Sequence, residues 1–159
     1  MKKVAISACL LGEKCRYDAS DNKDKQLLEY LKECELIPFC PEDFAFGTPR
    51  PTMDLIKNKH HAIRAISNEN GEDLSEEVVK YAKDFFDKNQ GIDLFVGKDR
   101  SPSCGVCSAK VYDENKNLID IGGAGLMAKE AKIREIYSVD AEEIGSIDIS
   151  TIEDKKRKI

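Results

Sequence analysis

The sequence predicts an α/β domain built on a Rossmann-like, doubly wound and mostly parallel sheet with helices on both faces. Two runs, Lys3 to Ala8 and Ile92 to Gly97, are apolar or β-branched without polar alternation, as strands covered on both sides are. Segments with apolar residues at helical spacing separate the strand patterns, and strand and helix alternate along the chain. A chain of 159 residues is long enough to close one core without disulfide staples. Residues 1–145 are therefore read as a single domain and 146–159 as a charged tail.

The first strand ends at Cys9-Leu10-Leu11-Gly12. After a polar loop, Leu27, Leu28, Leu31 and Cys34 repeat at helical spacing, predicting a helix over Lys23 to Cys34 with Asp21 or Asn22 as its cap. Leu36 to Phe39 is a short second strand, and Pro38 marks it as an edge or a strand end. Phe44 to Arg64 holds two prolines and Gly47 without a clear period, so mostly irregular structure is expected there, leading into a strand over Ala62 to Ser67. Ser75-Glu76-Glu77 opens a long helix whose Val78, Val79, Ala82, Phe85 and Phe86 share one face, ended by Gly91. Ala109 to Tyr112 and Leu118 to Ile121 flank Asp113 to Asn117 as a hairpin or two short strands. Leu126 to Ile133 reads as a helix and Ile136 to Val139 as a last strand.

The bulk numbers narrow the function. A net charge of −5 with mixed signs supplies no broad basic field, which argues against a tRNA or other polyanion as the favoured partner. Lys2-Lys3 before Val4 to Cys9 is too short for a signal peptide, no stretch is long enough to span a bilayer, and a cytoplasmic location with no membrane partner is expected. Six cysteines in such a chain point to metal, catalysis or core packing rather than a disulfide framework.

Their positions are informative. Cys9 follows the first strand, Cys40 the second, and Cys104 lies in the loop Lys98 to Cys107 after the strand ending at Gly97. In a parallel sheet all three project from one rim, where ligands collect. Three thiolates around one point need a cation, and soft sulfur selects zinc, copper(I) or iron–sulfur clusters; three ligands on a 4Fe-4S cube would leave one iron open. Other uses stay open on spacing alone: buried cysteines that cap strands, a non-catalytic zinc or other metal site, or a redox dithiol at Cys104 and Cys107. Cys34 reads as core and Cys15 is unassigned. Arg16, Asp18, Arg50 and Lys98 suit either a ligand or a rim ion pair, His60-His61 a solvated loop, and Gly123-x-Gly125 a tight turn.

The blocks Ser7-Ala8-Cys9-Leu10-Leu11-Gly12, Arg16-Tyr17-Asp18, Cys40-Pro41-Glu42, Thr48-Pro49-Arg50-Pro51, and Lys98 with Ser101-Pro102-Ser103-Cys104-Gly105 resemble, in order, a bacterial and archaeal family that includes the thiouracil desulfidases. The likeness is to its short, single-domain form. It implies a catalytic domain holding a 4Fe-4S cluster on Cys9, Cys40 and Cys104, with Glu42 as catalytic acid/base and Ser101 as catalytic serine. Arg50, Lys98 and Ser103 are then the substrate-binding candidates. The implied reaction is non-redox, hydrolytic removal of sulfur from a thiolated nucleobase or nucleoside of the thiouracil or thiouridine type. Ala19, Ala45-Phe46-Gly47 and Tyr112-Asp113 depart from the family pattern in loops that would shape the pocket.

Overall fold

The computed structural model describes residues 1–14, 18, 23–48 and 50–152. In chain order its elements are β1 (Lys3–Ser7), α1 (Lys25–Tyr30), β2 (Glu35–Phe39), α2 (Pro41–Phe46), β3 (Met53–Lys57), β4 (Ile63–Ser67), α3 (Ser75–Lys88), β5 (Leu94–Gly97), β6 (Ala109–Tyr112), β7 (Leu118–Gly123), α4 (Leu126–Ile133) and β8 (Tyr137–Asp140).

The expected α/β architecture is present. One sheet is wholly parallel in the order β2-β1-β5-β8. β1 lies inside it with Val4, Ala5 and Ile6 buried, as an unbroken apolar strand must. β2 is an edge strand, which accommodates the missing N–H of Pro38. One face packs Val4, Ile6, Leu94 and Val96 on Leu27, Leu31 and Ile144. The other packs Ala5, Phe39 and Phe95 on Ala82, Phe85 and Phe86 of α3 and Met127 of α4. The rings of Phe39 and Phe95 stack with centroids 4.9 Å apart.

The remaining strands form a second four-stranded sheet, β4-β3-β6-β7, with β3 and β6 parallel at its centre and antiparallel pairs outside. Its buried face, with Met53, Leu55, Ala65, Ala109 and Val111, packs on Val78 of α3 and Leu126 of α4. Two elements of this region correct the sequence reading. Phe44 to Arg64 holds more regular structure than expected: the end of α2, all of β3 and the start of β4 lie in it. Pro41 at the first helical position starts α2 rather than breaking it, and β3 owes its strand form to partners on both sides.

Smaller differences have local causes. α1 is shorter than expected and is capped by Asp24, whose Oδ1 accepts the Leu27 N–H at 3.0 Å; Asp21 and Asn22 lie outside the described residues. Cys34 follows the helix but is half-buried against the core. Ile147, Ile149 and Ile152 also pack there, so core contacts continue past residue 145. β7 closes one side of the second sheet with Leu118, Ile119 and Ile121 exposed.

Candidate active site

A cavity of about 540 Å³ opens beyond the carboxyl ends of β1, β2 and β5. Its first wall comes from the parallel sheet: Ser7 and Cys9 after β1, Cys40 to Glu42 at the start of α2, and Lys98 to Cys104 after β5. Thr52, Asp54, Lys110 and Tyr112 bring a second wall from β3, β6 and the residue before β3. The three strand-end cysteines thus line one space. Glu42, Arg50, Lys98, Ser101 and Ser103 line it with them.

Close backbone approach holds the loop after β5 in place. A Cβ on Gly97 would sit 1.8 Å from the Cys104 carbonyl oxygen, and one on Gly125 would sit 2.4 Å from the Ser103 carbonyl carbon. Only glycine admits that packing. The Ser103 carbonyl then accepts the Met127 N–H at 2.7 Å, while the Gly105 carbonyl accepts the Gly125 N–H at 2.7 Å. Gly123-x-Gly125 is therefore a packing turn against the loop, whose carbonyls satisfy N–H groups at the head of α4. From the other side, buried Asp140 accepts the N–H groups of Val106 at 2.7 Å and Cys107 at 2.9 Å.

Inside the cavity a chain of polar side chains runs from a cysteine to an arginine. Ser101 Oγ accepts the Cys104 N–H at 3.2 Å and lies 3.1 Å from Ser103 Oγ. Ser103 donates to Glu42 Oε2 at 2.8 Å. Glu42 Oε1 is 3.8 Å from Arg50 Nε, and both side chains are largely buried. Arg50 is braced by its Nη1, which donates to the Gly47 carbonyl at 3.1 Å and Thr48 Oγ1 at 2.9 Å. Its Nε is buried with no hydrogen-bond partner among the described residues, an unusual expense unless a bound molecule accepts from it.

Burial pushes the Glu42 carboxyl above its ordinary value, against the opposing Ser103 hydrogen bond and Arg50 charge. Burial also pushes the Cys104 thiol up to about 12, despite hydrogen bonds from Ser101 and the Lys98 backbone; Cys9 and Glu42 add to the rise. A thiolate there needs a cation beside it. Among the described residues no three His, Cys, Asp or Glu side chains form a group able to hold one metal ion. Three thiols lining one cavity are the donor type that soft-metal centres and iron–sulfur clusters take.

The other candidates lie elsewhere. Cys107 is exposed, with Lys132 Nζ 3.9 Å from its sulfur, whereas Cys104 is buried at the cavity. His60 and His61 occupy the exposed turn between β3 and β4, where Asn58 Oδ1 accepts the His60 N–H. Asp18 is exposed; Cys15, Arg16 and Ala19 lie outside the described residues. The sequence reading missed the second wall altogether. The signal for Asp54 was a lone acid among Met53, Leu55 and Ile56, and for Tyr112 its place at the end of a strand.

Comparison with known proteins gives consistent results. The sequence profile of the 2-thiouracil desulfurase family matches residues 4–143. The chain is 27% identical over 156 residues to the uncharacterized protein YbbK of Bacillus subtilis (strain 168), covering 89% of this chain and 99% of that one. Among solved structures it resembles the 4Fe-4S-dependent thiouracil desulfidase TudS, with a TM-score of 0.74 and 26% identity over 92% of this chain and 95% of the other. No helix among the described residues is long and apolar enough to cross a membrane.

Proposed function

The chain belongs to the 2-thiouracil desulfurase family, and from that premise we propose that it is an iron–sulfur desulfidase removing sulfur from a thiolated pyrimidine base or nucleoside by hydrolysis. The observation that carries the proposal is one cavity lined by three cysteines and by the linked groups Ser101, Ser103, Glu42 and Arg50. Cys9, Cys40 and Cys104 are the proposed ligands, and the cavity is of a size to take a nucleoside.

A 4Fe-4S cluster so held would supply one iron without a protein ligand, a Lewis acid for a thiocarbonyl sulfur. Hydrolysis replaces the C=S bond by C=O: water supplies the oxygen, and the sulfur leaves as sulfide. Glu42 takes the proton from water as general base, and Arg50 holds its carboxylate toward the cavity. The Ser101 and Ser103 hydroxyls form a path along which a proton passes between that carboxylate and the ring. Arg50 Nε is free to donate to a ring oxygen or nitrogen, and Lys98 borders the same space.

Anaerobic reconstitution with iron and sulfide tests this directly. The expected product is brown, with broad visible absorption, and it converts 2-thiouracil or 4-thiouridine with loss of the thione absorbance and release of sulfide. Cys9→Ser, Cys40→Ser and Cys104→Ser should each lose the colour and the turnover; Cys107→Ser should keep both. A colourless protein containing zinc would support a non-catalytic metal site instead. Loss of activity in Cys107→Ser would support the dithiol.

A further inference from the structure

We propose that Ser7 is a positioning residue that tunes the metal centre by donating its hydroxyl hydrogen to the sulfur of Cys9; this rests on the cluster reading above. Ser7 ends a strand whose preceding residues are Val4, Ala5 and Ile6, and it is itself only 5% exposed. A buried hydroxyl costs free energy unless it finds a partner, and alanine would fill this strand end with no polar atom to satisfy. The partner it has is Cys9 Sγ, at 3.3 Å.

The direction of that bond follows from metal chemistry. Between a free thiol and a hydroxyl either atom can donate. A sulfur that ligates iron is deprotonated and has no hydrogen to give, so the Ser7 O–H becomes the donor. Donation withdraws electron density from the thiolate. It favours the reduced, more negative cluster over the oxidised one and makes the irons stronger acceptors of a substrate sulfur.

The Cys104 sulfur accepts a hydrogen bond from the Lys98 backbone N–H, at 3.4 Å. A backbone donor cannot be removed by a side-chain substitution. The hydrogen bond from Ser7 to Cys9, by contrast, is made by a side chain and can be altered by substitution.

The test compares Ser7→Ala with the unaltered chain, both reconstituted anaerobically. Iron and sulfide content and the melting temperature are measured first, then the cluster's one-electron potential by electron paramagnetic resonance of poised samples. Ser7→Ala should load fully but be harder to reduce, with the equilibrium shifted about fivefold toward the oxidised form, or about 40 mV at 59 mV per decade. Ser7→Thr and Ser7→Val repeat the comparison at matched shape, so a packing defect in the alanine variant does not obscure it; Thr should stay near the parent potential and Val should fall with Ala. Equal potentials across the four proteins at full iron content would overturn the tuning role while leaving the desulfidase reading intact. Failure of the unaltered chain to take up iron would overturn both.

Discussion

Glu42 was legible only through the family resemblance carried by Cys40-Pro41-Glu42, not from spacing or composition. Its hydrogen bond to Ser103 was not, since 61 positions separate the two and only the fold joins them. Glu42→Gln keeps the shape of the side chain and removes its basicity. Turnover should fall by about 10²- to 10⁴-fold with the cluster spectrum unchanged, and activity within twofold of the parent would refute the assignment. A second residue joins elements rather than serving the site. Asp73 accepts from Arg64 Nε at 2.8 Å and the Ser75 N–H at 2.9 Å, linking β4 to the head of α3. Partial burial pushes its carboxyl up, but the hydrogen bonds from Arg64 and Ser75 outweigh that and hold it below the usual aspartate value. The folded chain therefore favours the ionised form: the stabilisation is full above the unfolded pKa of about 3.9 and is lost as pH falls through the lower folded value. Asp73→Asn should lower stability by about 0.5 kcal/mol at pH 7, the scale of a solvent-screened ion pair, and by much less near pH 2. Urea melts that show the same loss at both would contradict this.

The long helix α3 and the strand β5 were readable from their own residues, because amphipathic spacing and an unbroken apolar run are local signals. β3 was not. Its run Met53-Asp54-Leu55-Ile56-Lys57 follows two prolines, and it becomes a strand between β4, its hairpin partner, and β6, more than fifty residues away. The same limit hid the second wall of the cavity, which depends on that pairing. The contact of α4 with the Cys104 loop is likewise long-range, yet it left a trace in Gly123 and Gly125. Gly125→Ala puts a methyl group where the Ser103 backbone already lies. It should cost about 2 kcal/mol or more in stability and lower the iron retained after reconstitution. An unchanged melting temperature with full loading would show that the loop yields more easily than its packing implies.

At the scale of the molecule, the proposed ligands hang from the ends of β1, β2 and β5, so one bound group would tie together three segments distant in sequence. Their convergence was foreseeable because parallel strands share one carboxyl rim; the second sheet was not, since nothing in the sequence says that β3 and β6 leave the first. Reconstituted protein should melt several degrees above its chelator-stripped form, as expected when a ligand binds only the folded chain. Equal melting temperatures would place the iron outside the folded framework. The two sheets also differ in how their outermost strands meet solvent. Pro38 interrupts the hydrogen-bonding row of β2, whereas β7 carries no proline and exposes Ile119 and Ile121. Concentrated stocks should accordingly turn cloudy on warming through association along β7, and Ile121→Lys should keep them clear, a practical handle for crystallisation and storage.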